Sequence, residues 1–343
     1  MLSNETSIQI QYCRILCIYF MIVVHIPPWL EHAHIPSFFE PIKIFYYDIF
    51  GRSSVTALSC ISGFLIYFTI IKRDWLNVVV SRCKSIVVPM AFWNSVTIIF
   101  ALIILYTLGK PLPASNLVIE SSHFEVVVNG IFSLNNKPAA GSLAFLRDLF
   151  VCVLLSFPLA ALIKRFSWLV LVAAVIVHLT ISFQPLVFRG TILVAFITGL
   201  TVAYSIGHLK ISIFLRLLYV LGLIVVFLIE FSNASQFYLY NEFKRLTLSL
   251  VLIDLSYVLT KFRKFKWLLW LAPSTFLVYL THELVFMMLW GGWVLVFGNE
   301  ITPQYLAFFF FIPVLWFLLI AITLPLISYF PAFLQVLIKG KVS

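Results

Sequence analysis

Charged side chains are scarce: Asp, Glu, Lys and Arg together make up 10% of the 343 residues. A soluble domain carries about a quarter charged residues, because its surface has to face water. The shortage excludes an ordinary soluble globule. Acidic residues are the scarcer sign, 13 against 23 Lys and Arg, which leaves a formal charge of +10. Cysteine is rare as well, and Cys13, Cys17, Cys60, Cys83 and Cys152 all fall in expected spans or on the inner side. No disulfide framework is therefore expected, and Cys13 and Cys17 read as small interior thiols rather than metal ligands. Internal repeats and low-complexity tracts are absent. So are short segments alternating apolar and polar residues, which excludes a membrane β-barrel.

What is abundant is apolar residues, 62% of the chain. They come in blocks of about 20, the length that crosses a hydrocarbon core about 30 Å thick. Inside lipid every backbone N–H and C=O has to be paired within the segment, so such blocks form helices. The expected fold is all-α, a single polytopic integral membrane domain over residues 1–343. About ten transmembrane helices are expected, near 12–30, 46–71, 86–108, 143–163, 166–183, 187–207, 211–230, 245–260, 267–291 and 304–328. The fifth, sixth and eighth are the weakest, being short or interrupted by polar residues. The first lacks a small-residue cleavage site and runs into Pro27, Pro28 and Trp29, so it reads as a retained helix.

Lys and Arg set the orientation. With the N-terminus inside, the inner loops gather Lys72, Arg73, Arg82, Lys84, Lys164, Arg165, Lys210, Arg216 and the run Lys261 to Lys266. The outer loops hold fewer cations and most of the acidic loop residues, among them Glu31, Glu40, Glu120 and Glu242. That asymmetry predicts both termini in the cytoplasm. It also accounts for the positive charge through contact with anionic membrane lipid, and the cations are too dispersed for a nucleic-acid surface.

Ionisable residues inside spans mark candidate sites, because each costs several kcal/mol unless paired or hydrated. Arg14 and His25 are eleven residues apart in the first block. At about 100° per residue they would share one helix face, separated by about 16 Å along the axis. Arg14 alone would snorkel to inner headgroups, whereas His25 is flanked by apolar residues in the outer half. The second block carries Ser53, Ser54, Ser59, Ser62 and Gly63, which usually serve close helix packing. Arg147 and Asp148 open the fourth block; as helix neighbours they are expected to address different partners. His282 and Glu283 lie in the outer half of the ninth. "THELVF" is no zinc-protease motif, since Phe286 stands where the second His would be. His32 and His34 in an outer loop are weak metal candidates, and no metal is expected. Thus His25, Arg147, Asp148, His282 and Glu283 are expected at similar depth, with Arg14, Arg82 and Lys84 on the opposite side. Such a set suits proton transfer at a hydroxyl, and the cations suit a phosphate-bearing donor.

At these residues the chain resembles the acyltransferase 3 family of membrane acyltransferases, which includes bacterial surface-polysaccharide O-acetyltransferases. Arg14 and His25 match its Arg-x10-His, and "SCISGFLIY" with Ser62 and Gly63 is similar to its Ser-Gly-Phe segment. "FLRDL" at 145–149 and "VYLTH" ending at His282 resemble two further motifs, as does "SRCKSIVVPMAFWN" through Arg82 and Lys84. The chain departs where many members carry Arg-x-x-Arg, having Ser85 after Arg82, and at Ala144, where Trp is common. The resemblance implies transfer of an acetyl group from cytoplasmic acetyl-CoA to a sugar hydroxyl of a surface glycan, with lipopolysaccharide O-antigen as the expected acceptor. A stand-alone enzyme of the bacterial inner membrane is implied. His25, Asp148, Arg147, His282 and Glu283 would be catalytic, with His25 as general base or acyl relay, and Arg14, Arg82, Lys84 and Ser62 would bind the donor. The outer loop 109–142 would meet the glycan. The sequence leaves the oligomeric state open. A transporter or flippase for a lipid-linked sugar is the main rival, although it would favour repeated halves that are absent here. A membrane scaffold or sensor would leave the Arg14–His25 pair unexplained.

Overall fold

The computed structural model describes residues 2–28, 35–109, 124–181, 183–231 and 238–341. His32, His34, Glu31, Glu120 and residues 110–123 of the long outer loop lie outside the described residues. The chain runs through α1 (Asn4–Val23), α2 (Glu40–Lys43), α3 (Arg52–Ile70), α4 (Trp75–Arg82), α5 (Val88–Leu108), α6 (Phe124–Phe132) and α7 (Ala144–Phe166). It continues through α8 (Trp168–Thr180), α9 (Gly190–Ser205), α10 (Ile213–Phe231), α11 (Tyr238–Thr260), α12 (Thr275–Phe297), α13 (Tyr305–Thr323) and α14 (Ala332–Lys339). π-helical stretches Ile44–Gly51 and Cys83–Val87 join α2 to α3 and α4 to α5, and a 3-10 stretch, Arg263–Ser274, leads into α12. No strand occurs among the described residues, so the protein is all-α.

Seven helical stretches among the described residues are long and apolar enough to cross a membrane. The expected count of ten is corrected at the three weakest segments. Each does form a helix there, but α8 and α9 are short, and α11 carries Lys244, Arg245 and Asp254. α9 explains how a short helix fits. It is buried along most of its length, so its neighbours rather than lipid satisfy its surroundings. Its main neighbour is α3. A Cβ on Gly63 of α3 would lie 2.0 Å from the Phe196 carbonyl oxygen, and one on Gly199 of α9 would lie 1.8 Å from that of Cys60. Two glycines thus let the backbones touch, and lipid-embedded helices associate through such packing. Gly63 of the Ser-Gly-Phe segment is therefore a helix-crossing residue.

α1 sits at the centre, against α3, α11, α12, α13 and the Arg263–Ser274 stretch. It starts earlier and ends earlier than the expected 12–30. Ser3 caps it by accepting a hydrogen bond from the Thr6 N–H at 3.1 Å. It stops at Val23, where the His25 N–H turns back to the Ile22 carbonyl at 3.0 Å, and Pro27 and Pro28 bring no N–H to extend it. His25 therefore stands in the turn just beyond the helix. The shared face inferred for Arg14 and His25 assumed an unbroken helix, and it does not hold in that form.

One end of the bundle gathers the basic loops. Lys261 after α11 pairs with Glu5 of α1, a hydrogen bond that holds the Lys261 ammonium above its usual range. The Tyr204 hydroxyl of α9 donates to the Lys164 carbonyl of α7 at 3.4 Å. α14 closes this end: Trp93 of α5 donates its indole N–H to the Ile338 carbonyl at 3.2 Å.

Candidate functional site

At the opposite end, the His25 turn meets α12. The rings of His25 and His282 lie edge to face, centroids 5.2 Å apart. His282 is fully buried, between Tyr279 stacked at 5.8 Å and Phe286 edge-on at 5.8 Å. Its Nδ1 lies 2.7 Å from the Tyr279 carbonyl oxygen. A carbonyl only accepts, so Nδ1 carries the proton and Nε2 presents a lone pair in the neutral ring. That Nε2 is buried and has no hydrogen-bond partner among the described residues. Buried polar atoms are usually satisfied, and an exception calls for a functional account. The turn that carries His25 is fixed from α13: the Tyr305 hydroxyl, fully buried, donates to the Pro27 carbonyl at 2.7 Å.

Three further charged residues of this end, Glu283, Arg147 and Asp148, hold backbone. Glu283 accepts hydrogen bonds from the N–H groups of Gly141 at 3.1 Å and Ser142 at 2.8 Å. The Tyr279 hydroxyl donates to the Ser142 carbonyl at 2.6 Å. Asn94 of α5 donates to the Ile131 carbonyl at 2.9 Å and accepts from the Ala140 N–H at 3.1 Å. These contacts let a non-helical stretch sink into the protein, with Ser133, Ala139 and Ala140 buried. Irregular backbone at membrane depth is stable only where protein or a water-lined cavity satisfies it.

Arg147 and Asp148 do the same for the neighbouring loop. The Arg147 guanidinium donates to the carbonyls of Ser133 and Leu134, both at 3.1 Å, and to those of Pro185 and Leu186. It also lies 4.4 Å from the centre of the Phe188 ring. Asp148 accepts from the N–H groups of Phe188 at 3.1 Å and Arg189 at 3.2 Å, and so holds the entry to α9. The two residues take different backbone partners, and Arg147 Nη1 in addition donates to Asp148 at 3.0 Å, because the long side chain folds back.

The donor candidates sit at the basic end. Arg14 is exposed on α1, close enough to Arg82 for the two positive charges to interact, and Arg82 in turn feels Arg73. Lys84 is exposed. Among the described residues, Arg14, Arg73, Arg82 and Lys84 form no ion pair. The Ser62 hydroxyl, by contrast, is engaged within its own helix, donating to the Leu58 carbonyl at 2.8 Å. Cys13 and Cys17 are free, buried thiols with sulfurs 3.8 Å apart.

Of the nine residues singled out from the sequence, the structure brings His25 to His282, Arg147 to Asp148 and Arg14 to Arg82. Sequence reasoning gave no role to Tyr279, Tyr305 and Asn94. Tyr279 stands in the "VYLTH" motif and Asn94 interrupts an apolar run, and both are legible signals. Tyr305 carries none.

Comparison with known proteins identifies the family of the chain as a whole. A family profile described as an acyltransferase domain matches residues 7–332. Among curated proteins, the chain is similar to the succinoglycan biosynthesis protein ExoH of Rhizobium meliloti (strain 1021), 24% identical over 182 residues. That match covers 50% of this chain and 47% of the relative, so it spans about half the relative's length. No solved structure matches the chain significantly.

Proposed function

The chain belongs to the acyltransferase 3 family, and on that premise we propose that it carries an acyl group from an acyl-CoA at the basic end to a sugar hydroxyl at the opposite end. The acyl group proposed is acetyl, and the acceptor a surface polysaccharide such as lipopolysaccharide O-antigen. The protein would sit in a bacterial inner membrane with both termini cytoplasmic. The name of the ExoH relative, a succinoglycan biosynthesis protein, favours a polysaccharide acceptor. The observation that carries the reading is the buried His282 lone pair beside the His25 ring.

His25 serves as general base. It takes the proton of the acceptor hydroxyl as that oxygen attacks the thioester carbonyl carbon. The carbon–oxygen bond forms, the carbon–sulfur bond breaks, and the departing thiolate takes the proton from His25. General-base assistance of this kind contributes roughly 10²–10⁴-fold. His282, its tautomer set by the Tyr279 carbonyl, orients the His25 ring and supports the imidazolium. Glu283, Asp148 and Arg147 act as positioning residues through the loops they hold. Arg14, Arg82 and Lys84 grip the donor phosphates by charge-assisted hydrogen bonds. Arg14 and Val23, where α1 gives way to the His25 turn, are about 14 Å apart along the helix axis, a gap for the extended arm of an acyl-CoA to bridge.

The test uses the purified full chain in lipid nanodiscs, with acetyl-labelled acetyl-CoA and an O-antigen oligosaccharide. Label entering the glycan with matching release of free CoA is the expected result. Glycan crossing the bilayer of a proteoliposome without gaining label would favour a transporter and contradict the reading.

A further inference from the structure

At the same end of the bundle as the His25–His282 pair lies a cavity of about 390 Å³ between α8, the entry to α9 and the start of α11. That volume suits a small ligand. Its floor is a charged cluster: His178 Nε2 lies 3.0 Å from Glu242 Oε2, and Arg245 donates to Glu242 Oε1 at 3.2 Å. Glu242 is buried and engaged at both oxygens, so its charge is balanced by Arg245. Gly190 makes the floor fit, because a Cβ there would lie 2.2 Å from His178 Nδ1. Phe183 and Phe188 supply flat apolar walls. Arg189 supplies the remaining cation. It is exposed, it lines the cavity, and its guanidinium has no ion-pair partner among the described residues.

This cavity is tied to the candidate centre. Asp148 holds the backbone of Phe188 and Arg189 on its rim, and Arg147 braces Phe188. Arg189 is also close enough to act electrostatically on Tyr279, which stacks on His282. The "FLRDL" segment thus shapes a wall of this cavity.

We infer that this cavity is an acceptor subsite for an acidic sugar, whose carboxylate is received by Arg189 while its ring packs against Phe183 and Phe188. The inference rests on the proposed glycan acylation, and it names the class of acceptor: a glycan with a uronate next to the acylated residue. An Arg guanidinium suits this task because its fork matches a carboxylate with two parallel hydrogen bonds. The neutralised Glu242 leaves the cavity net positive, so a neutral glycan would gain less from it.

The test compares a glucuronate-containing tetrasaccharide with its carboxyl-reduced counterpart, using the full chain in phosphatidylcholine nanodiscs. Two readouts are taken, equilibrium binding and acetyl transfer. The wild type is expected to bind the acidic sugar about tenfold or more tighter, and Arg189→Ala should abolish that preference. The same variant should leave acceptor-independent hydrolysis of acetyl-CoA and the KM for acetyl-CoA unchanged. Arg189→Lys, which keeps charge without the fork, should restore part of the preference. Equal affinity of the wild type for both sugars, or an undiminished preference in Arg189→Ala, overturns the subsite. Charge-selective binding that persists where no acetyl is transferred leaves the subsite standing and removes the proposed acylation instead.

Discussion

Two groups of charged residues, one at each end of this helix bundle, are used in opposite ways. At the basic end, Arg14, Arg73, Arg82 and Lys84 have no ion-pair partner among the described residues. At the other, Arg147, Asp148 and Glu283 are engaged by backbone carbonyls and N–H groups of two inserted loops. Arg14 and Arg73, each close enough to Arg82 to feel its charge and without acidic partners among the described residues, suit a polyanionic ligand. Charges already bonded to loop backbone are poised to hold shape. At that second end the buried Nε2 of His282, beside the His25 ring, has no hydrogen-bond partner among the described residues. An ionisable residue in a membrane segment marks a site by default, and its partners decide whether it reacts or builds.

The comparison breaks most sharply at His282. His282→Ala should lower kcat for glycan acylation by about 10²-fold or more, the range of lost acid–base support, while the KM for the acyl-CoA donor stays the same. An unchanged kcat would return His282 to the loop-holding group. Asp148→Ala should act on the fold instead. It strands the N–H groups of Phe188 and Arg189 and leaves Arg147 without its carboxylate, a loss of about 3–5 kcal/mol for a broken buried pair. A lowered unfolding temperature in nanodiscs checks this, and the wild-type temperature would contradict the structural role. Gly63→Ala should cost about 1–3 kcal/mol by pushing α3 away from α9, measured in the same unfolding experiment. The smallest effect belongs to the basic end. Arg14→Ala should raise the donor KM about tenfold, as expected when one charge-assisted phosphate contact is lost, with no drop in unfolding temperature. A stability loss with an unchanged donor KM would make Arg14 a structural residue.

Much of the fold was legible in the sequence because lipid leaves the backbone few choices. Apolar blocks of spanning length had to be helices, and a helix stands at each expected place. The crossing count was less legible, since α8 and α9 are too short by length alone and a buried environment cannot be read from hydropathy. The end of α1 was missed by several residues. Apolarity continues past Val23, but the hydrogen-bond ladder does not, because Pro27 and Pro28 cannot extend it. At the candidate site, the motifs named His25 and His282 without their meeting, which depends on how α1 and α12 pack. The anchoring roles of Glu283 and Asp148 were illegible for a different reason. Their partners are main-chain N–H groups, which carry no signature in side-chain sequence.

The central claim is that His25 performs the acyl transfer rather than merely filling the turn. The most direct measurement is label transfer from acetyl-labelled acetyl-CoA to the glycan by purified His25→Ala protein, matched to the wild type for membrane-inserted amount and unfolding temperature. The account predicts that transfer falls to background in the variant while the donor still binds. Glycan acetylated at the wild-type rate by the His25→Ala protein would contradict it.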